Sequence, residues 1–243
     1  MRHCPSTDFW EKMALVETAK KVVIDKGWLS ITPPSFQRAV LDRCLLLTFK
    51  PGDPVYRLGD PPGGMFGLVS GGLGVAVGQD EFSPYIGHFA LPGAWFGEAA
   101  AITRQPRRIG LTATRDTQML HLPLPKIDEI VTDDPMAWRW LALVTVGHLD
   151  TAISACDDLM LRDHVKRCVA LLLRLGGCRR MTPPGAATVD IDIRQDEIAT
   201  LANVARTTAG KVLGALEAKG HIAQSYRRVR LLAPDALRAM LRD

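Results

Sequence analysis

Hydrophobic residues follow a helical pattern at the start of the chain and an extended pattern after it. Apolar positions spaced among lysines and glutamates predict one or two helices over residues 8–30, and a short helix over 36–46 follows the prolines Pro33 and Pro34. From about residue 48, short apolar segments alternate with Gly and Pro turns, and 12 of the 21 glycines lie between Gly52 and Gly97. Strands are expected over residues 65–69, 73–77, 85–91, 110–114 and 118–122. This region is therefore predicted to form an antiparallel sandwich or roll.

One long helix is predicted to follow the strands. Asp133 and Asp134 precede Pro135, which suits the electropositive first turn of a helix, and the helical pattern continues to about residue 160. Apolar residues occupy two sectors of this helix, and Leu141 and Ala152, on one of them, are predicted to lie in an interface between subunits. The helix is expected to pack against its own domain and against a second subunit, the alternative being burial within one large domain.

The last third of the chain has the pattern of a winged helix-turn-helix. A helix over 163–175 is followed by a short strand at 189–193, helices at 195–201 and 206–219 joined by a four-residue connection, and a hairpin with strands at 221–224 and 228–231. A last short helix begins at Pro234. Two helices, a tight turn and a hairpin in this order typically place the second helix in a DNA groove.

Composition excludes membrane and secreted classes of protein. Hydrophobic residues make up 47% and charged residues 23% of the 243 residues, which are the proportions of an ordinary globular chain. No stretch approaches the ~18 apolar residues of a membrane span, and the N-terminus lacks a signal peptide's apolar core. The five cysteines are scattered and odd in number, so we expect reduced thiols and a cytoplasmic location.

Charge is distributed unevenly along the chain. Residues 1–160 hold 15 basic and 18 acidic side chains, whereas residues 161–243 hold 15 basic and 8 acidic ones, which gives net charges of −3 and +7. A basic C-terminal part is typical of a region that meets a polyanion, and the alternative is a solvated basic surface.

The candidate DNA-binding residues follow from this pattern. The second helix begins with Arg206, Thr207 and Thr208 and continues to Lys211, so these side chains are predicted to reach base edges. The basic residues of the hairpin are predicted to bind phosphates, namely Arg227, Arg228 and Arg230. The alternative is a plain packing or dimerisation unit.

Sequence motifs of catalysis and of metal binding are absent. We find no nucleophile elbow, no nucleotide-hydrolysis loop and no paired metal ligands, so no catalytic residue and no metal ligand is assigned. The cysteines lack the grouping of an iron–sulfur site, and a haem ligated by His88 or His148 stays open.

Three stretches of the chain resemble the CRP/FNR superfamily of bacterial transcription regulators, over residues from about 30 to 240. They are the glycine-rich segment 52–71, the segment Trp95-Phe96-Gly97-Glu98 with Arg107-Arg108, and the helix-turn-helix segment 196–220. The resemblance implies an α+β fold with an N-terminal antiparallel β-roll of the double-stranded β-helix (jelly-roll) type, a long dimerisation helix and a C-terminal winged helix-turn-helix. The corresponding domains are residues 1–132, 133–160 and 161–243.

The function that this resemblance implies is that of a homodimeric regulator bound to a double-stranded DNA operator. Two-fold symmetry predicts a pseudo-palindromic operator, and RNA polymerase is the expected protein partner. No membrane partner is expected. One alternative is a cyclic-nucleotide-type module that acts on a partner protein, and another is a regulator whose β-roll binds no small molecule.

The effector site implied by the resemblance departs from the family pattern. In nucleotide-binding members a Gly-Glu pair meets the ribose and an arginine followed by Ser or Thr holds the phosphate. Gly97 and Glu98 match the pair, and Arg108, next to Arg107, matches the arginine, but Ile109 stands where the hydroxyl is needed. Loss of that hydrogen bond predicts weak cyclic AMP binding, so a cyclic nucleotide stays open and no cofactor is assigned. An internal Glu98–Arg108 ion pair is the alternative.

Overall fold

The structure is a computed structural model that describes residues 7–78, 85–182 and 188–242. It separates into two compact units, residues 1–148 and 149–243. Within the described ranges, no helix combines the length and the apolar character that a bilayer crossing requires.

In its described residues, the first unit combines helices with eight short strands. Its helices are α1 (Thr7–Asp25), α2 (Pro34–Leu41), α3 (Glu98–Thr103), α4 (Leu124–Asp133) and α5 (Ala137–Met160), which continues into the second unit, and a 3-10 turn spans Trp28–Ile31. Its strands are β1 (Leu45–Phe49), β2 (Pro54–Tyr56), β3 (Gly64–Ser70), β4 (Leu73–Val77), β5 (Tyr85–Ala90), β6 (Trp95–Phe96), β7 (Gly110–Ala113) and β8 (Thr117–Pro123).

The strands form two antiparallel four-stranded sheets, as expected of the β-roll. Their orders are β1-β8-β3-β6 and β2-β7-β4-β5. Residues alternate between the two faces of a strand, so Phe66 and Leu68 of β3 join a cluster with Leu111 and Met119, residues of strands from both sheets. Met65, on the opposite face of β3, joins a second cluster formed with the helices. Because both faces are covered, β3 is apolar almost throughout.

Strand β3 approaches β6 closely at one glycine. A Cβ atom on Gly67 would lie 2.5 Å from the indole ring of Trp95, too close for any side chain. Trp95 is buried and packs edge-on against Trp28, with ring centroids 5.5 Å apart. Gly67 therefore gives Trp95 the space that lets the sheet and the helical layer share one core.

The second unit has the element order predicted for a winged helix-turn-helix. After α5 come α6 (His164–Leu175), β9 (Val189–Ile191), α7 (Gln195–Leu201), α8 (Arg206–Ala218), β10 (Ile222–Ser225), β11 (Arg228–Leu231) and α9 (Pro234–Ala239). The strands form one antiparallel sheet in the order β10-β11-β9. Asp163 caps α6 by accepting hydrogen bonds from the backbone N–H groups of Val165 and Lys166.

The predicted and the observed elements differ at several places. The helix predicted over 36–46 ends at Leu41, and the following apolar residues form strand β1, because short apolar runs fit either state. Helix α4 was not predicted, and Pro135 lies in the break before α5 rather than in a first turn after Asp133. The domain limits at 132/133 and 160/161 stay predictions.

The assignment of Leu141 to a subunit interface is wrong. Leu141 is 2% exposed and belongs to the helical core cluster of the first unit. The start of α5 faces its own domain, which supplies enough apolar surface to cover Leu141. Ala152 is exposed, as an interface residue would be in a single chain.

Candidate nucleic-acid interface and effector site

Gly97 and Glu98 lie at the junction between strand β6 and helix α3. Gly97 has a φ of 105°, in the region that favours glycine, and a Cβ there would meet Arg107 Nη1 and Gly64 O, each at 2.5 Å. Glu98 begins α3 and is 5% exposed. The sharp turn at Gly97 therefore directs a carboxylate into the interior of the first unit.

Arg107 is the arginine that points into this part of the β-roll. It is 4% exposed, donates from Nη2 to Gly64 O at 2.9 Å and from Nη1 to Gly97 O at 3.3 Å. Its guanidinium carbon lies 4.2 Å from the ring centroid of Tyr56, which is a cation–π arrangement. Burial lowers the pKa of Arg107 and raises the pKa of Tyr56. Arg107 Nε has no hydrogen-bond partner among the described residues.

Arg108 lies outside this buried cluster. Its side chain is exposed, and Ile109 is partly buried against the core between the sheets. The match of Arg108 to the phosphate-holding arginine is therefore corrected, because Arg107 is the arginine that points inward. The position after the inward arginine is then Arg108 itself, so it also lacks the hydroxyl of the family pattern.

Glu98 contacts His148 of α5 and not Arg108. His148 Nδ1 lies 2.8 Å from Glu98 Oε1, and the His148 ring stacks on Phe96 with centroids 5.0 Å apart. The expected Glu98–Arg108 ion pair is thus wrong, because Glu98 meets the helix and Arg108 faces solvent. From the sequence, His148 is a candidate only for haem ligation, and no sequence signal joins residues 50 positions apart.

The winged helix presents the opening of α8 to solvent. Helices α7 and α8 are joined by a tight connection in which Asn203 has a φ of 49°. Val212, Leu213 and Leu216 hold α8 to its unit, whereas Arg206, Thr207 and Lys211 are exposed and Thr208 is half-buried. Within the described ranges, the Arg206 and Lys211 side chains have no ion-pair partner.

A groove of about 380 Å³ runs between the start of α8 and the wing hairpin. Arg206, Gln195 and the wing residues Tyr226, Arg227 and Arg228 are among its lining residues. Gln195 Nε2 donates to Arg206 O at 3.1 Å and so fixes the start of α8 against α7. The groove therefore brings together basic residues predicted for base readout and for phosphate binding.

The wing holds one residue that sequence analysis missed and two whose environment was unexpected. Tyr226 at the hairpin turn is 90% exposed, and the hairpin pattern could have pointed to it. Arg228 donates from Nε to Asp192 Oδ1 at 2.9 Å. Arg230 makes a bidentate pair with Asp190, at 2.6 and 3.0 Å. The phosphate-binding role of these arginines stays a prediction.

The chain matches two known domain families. Residues 46–134 match the cyclic nucleotide-binding domain family, and residues 166–240 match the Crp-like helix-turn-helix domain family. This chain belongs to the CRP/FNR superfamily of transcription regulators. Members of this superfamily bind DNA, and this chain is a DNA-binding regulator with an effector-type domain. The fold predicted from the sequence is confirmed.

Individual relatives agree with the superfamily assignment. The CRP-like cAMP-activated global transcriptional regulator of Mycobacterium tuberculosis is 24% identical over 193 residues, which cover 78% of this chain and 84% of that protein. A CRP/FNR family regulator from Thermus thermophilus has 25% identity and a TM-score of 0.59, over 82% of this chain and 99% of that chain. FixK2 from Bradyrhizobium japonicum shares the fold, with 19% identity and a TM-score of 0.68, over 81% and 96% of the two chains.

Proposed function

We propose that this CRP/FNR regulator acts as a homodimer that binds a pseudo-palindromic operator through helix α8. The observation that carries the proposal is the start of α8, where Arg206, Thr207 and Lys211 are exposed and Arg206 lines the wing groove. Arg206 and Lys211 have no ion-pair partner in the described ranges. An arginine or lysine at this place can donate to the O6 and N7 acceptors of guanine. The half-sites are expected about one helical turn apart.

Selection of duplexes from a random library tests this proposal. The wild-type chain is expected to enrich a two-fold symmetric sequence, and Arg206→Ala is expected to lose preference at one base pair in each half-site. Lys219→Ala, at the other end of α8, is the matched control because it is also exposed and basic. Enrichment of no sequence by the wild-type chain would overturn the proposal.

The dimer contact is proposed to lie on the exposed stripe of α5. Leu149, Ile153, Cys156 and Met160 follow one another at intervals of four, three and four residues, which is the spacing of a coiled-coil seam. Leu149 and Ile153 are each 57% exposed and Met160 is 81% exposed. Apolar surface at this spacing supports a second copy of the same helix as its partner.

Sedimentation velocity distinguishes this stripe from ordinary exposed apolar residues. Leu149→Asp and Ile153→Asp are expected to convert the dimer to a folded monomer, because each places a charge in the seam. Leu45→Asp on strand β1 is the control, since Leu45 is 56% exposed and lies outside the stripe. Retention of the dimer by both α5 variants would place the interface elsewhere.

The effector site is proposed to comprise Gly97, Glu98 and Arg107, with His148 competing for Glu98. The Mycobacterium tuberculosis relative is described as cAMP-activated, which makes cyclic AMP the first ligand to test. Here a ribose hydroxyl would need the carboxylate that His148 contacts, and no Ser or Thr follows Arg107. The unpartnered Nε of Arg107 favours an anionic ligand over a neutral one.

Calorimetry with cyclic AMP tests the role of His148. The wild-type chain is expected to bind weakly, and His148→Ala is expected to bind about tenfold tighter, which corresponds to about 1.4 kcal/mol released from the competing contact. His164→Ala is the control because His164 lies on α6 in the other unit. Tight binding by the wild-type chain that His148→Ala leaves unchanged would contradict this view of the site.

The protein partner and the cellular location of this regulator are also proposals. Contact with RNA polymerase and a cytoplasmic location are expected of such a regulator. The thiols Cys44, Cys156, Cys168 and Cys178 are free, which fits a reducing compartment. Burial raises the pKa of Cys44 to about 12 and that of Cys168 to about 11, so these two thiols are expected to be unreactive.

A further inference from the structure

The three-stranded wing sheet carries two arginines and two aspartates on one face. Arg228 and Arg230 are two residues apart on β11, so their side chains share the solvent face, while Val229 and Leu231 between and beyond them are buried. Arg230 lies directly opposite Asp190 of β9 in the strand register, and Val229 lies opposite Ile191. Asp192, the next residue along, pairs with Arg228.

Each guanidinium of this face is held by a carboxylate. Asp190 accepts from Nε and Nη2 of Arg230 at 2.6 and 3.0 Å and lies 3.8 Å from Nη1 of Arg228, while Asp192 accepts from Nε of Arg228 at 2.9 Å. The pairing lowers the pKa of Asp190 and raises the pKa values of Arg228 and Arg230. The two positive and two negative charges of this face therefore sum to zero at neutral pH.

The same face borders the candidate DNA interface. Arg228 lines the groove that also contains Arg206 and Arg227. On the other side of β11, Arg230 and Arg228 lie opposite Ala223 and Ser225 of β10, neither of which adds charge. A phosphate that approached either arginine would meet a carboxylate already bound to it.

We propose that Asp190 and Asp192 are specificity-determining residues that suppress sequence-independent binding of the wing to the DNA backbone. The inference rests on the proposed DNA-binding function and deepens it. Sequence-independent affinity comes from cations that replace the counterions of phosphates. An arginine paired with an aspartate releases few counterions, because its charge is already neutralised. Discrimination among duplexes then depends on the start of α8.

Titration of a random-sequence duplex at several salt concentrations tests this inference. The Asp190→Asn/Asp192→Asn variant is expected to bind at least about tenfold tighter than wild type at low salt, and its plot of log affinity against log salt is expected to be steeper by about 2, since two arginines are freed. On the selected operator the gain is expected to be no larger, so the specificity ratio falls.

A matched control separates local pairing from net charge. Asp235→Asn also removes a carboxylate paired with an arginine, but Asp235 pairs with Arg238 of α9 and lies outside the groove. Asp190→Asn is expected to raise random-duplex affinity clearly more than Asp235→Asn does. Equal effects of the two substitutions would overturn the inference.

The reverse substitution gives a readout that does not depend on how well the aspartate variants fold. If the arginines are neutralised, Arg228→Gln/Arg230→Gln is expected to change the salt slope by less than about 0.5. A decrease of about 2 would mean that both arginines already bind phosphates and would overturn the inference.

Two further outcomes separate this inference from the proposed function. If the wild-type chain binds a selected operator but the aspartate variant gains no affinity for random duplex, only the role of the wing aspartates is refuted. Absence of binding to any duplex by either protein refutes the proposed function as well.

Discussion

Arg107 of the β-roll and the two basic residues at the start of α8 lie in opposite environments. Arg107 is 4% exposed, stacks on Tyr56 and donates to two backbone carbonyls. Arg206 and Lys211 are exposed and have no ion-pair partner in the described ranges. An arginine with most of its donors used inside the fold stabilises that fold and keeps few donors for a ligand, as Arg107 keeps only Nε. A basic side chain that keeps all its donors in solvent is available to a ligand. The partners of a charge therefore indicate its role better than the charge itself does.

Removal of the Arg107 side chain is expected to destabilise the fold strongly. Arg107→Ala should lower the free energy of unfolding by about 3 kcal/mol, because it leaves the carbonyls of Gly64 and Gly97 without their donor and opens space beside Tyr56. Urea unfolding followed by circular dichroism measures this change. The neighbouring variant Arg108→Ala should stay within about 0.5 kcal/mol of wild type, since Arg108 is exposed. Equal losses for the two variants would refute the difference in their environments.

Lys211, at the exposed start of α8, is expected to affect DNA binding and not the stability of the fold. Lys211→Ala should cost about 1–3 kcal/mol of binding to the selected operator and relax preference at one base pair. Its unfolding free energy should be unchanged, because the side chain has no ion pair in the described ranges. Binding titrations with operator and random duplexes, run beside Lys219→Ala, give the answer. If Lys211→Ala weakens both duplexes to the same extent, Lys211 is a phosphate contact.

Asp163 is exposed and yet stabilises the fold as the cap of α6. Its carboxylate accepts the backbone N–H groups of Val165 and Lys166 at the start of α6, so Asp163→Ala should cost about 1 kcal/mol of stability at pH 7. The backbone hydrogen bond from Lys166 is the main cause of the lowered pKa of Asp163. The folded pKa is below the unfolded one, so this stabilisation is present at neutral pH and is lost as the pH falls through the folded pKa.

The variant Asp163→Asn separates the cap from its charge. Asparagine caps helices about as well as aspartate, so Asp163→Asn should retain most of the stability at pH 7. It should lack the contribution of this carboxylate to the loss of stability in acid. Urea unfolding at neutral and acidic pH compares the three proteins. An identical acid dependence in wild type and Asp163→Asn would show that this carboxylate does not contribute.

Local pattern was sufficient for the winged helix and less so for the β-roll. Helix α7 and strand β11 lie at the predicted residues, because helical periodicity, turn residues and alternation agree there. The first two residues of strand β1 were predicted as the end of a helix, since Leu45–Phe49 is a short apolar run that only its pairing with β8 makes extended. The start of α5 was misplaced because Pro135 fits both a first helical turn and a break.

The order of the elements, the superfamily resemblance and the exposed start of α8 could all be predicted from the sequence, since they follow from residues close together in the chain. Three contacts emerged only from the folded chain: Arg107 rather than Arg108 points inward, His148 reaches Glu98, and Asp190 lies opposite Arg230. These contacts join residues 40 or more positions apart, or depend on which face of a strand a side chain takes. A shift of one residue in register exchanges the two faces, so chemistry of this kind is fixed only when the strands are paired.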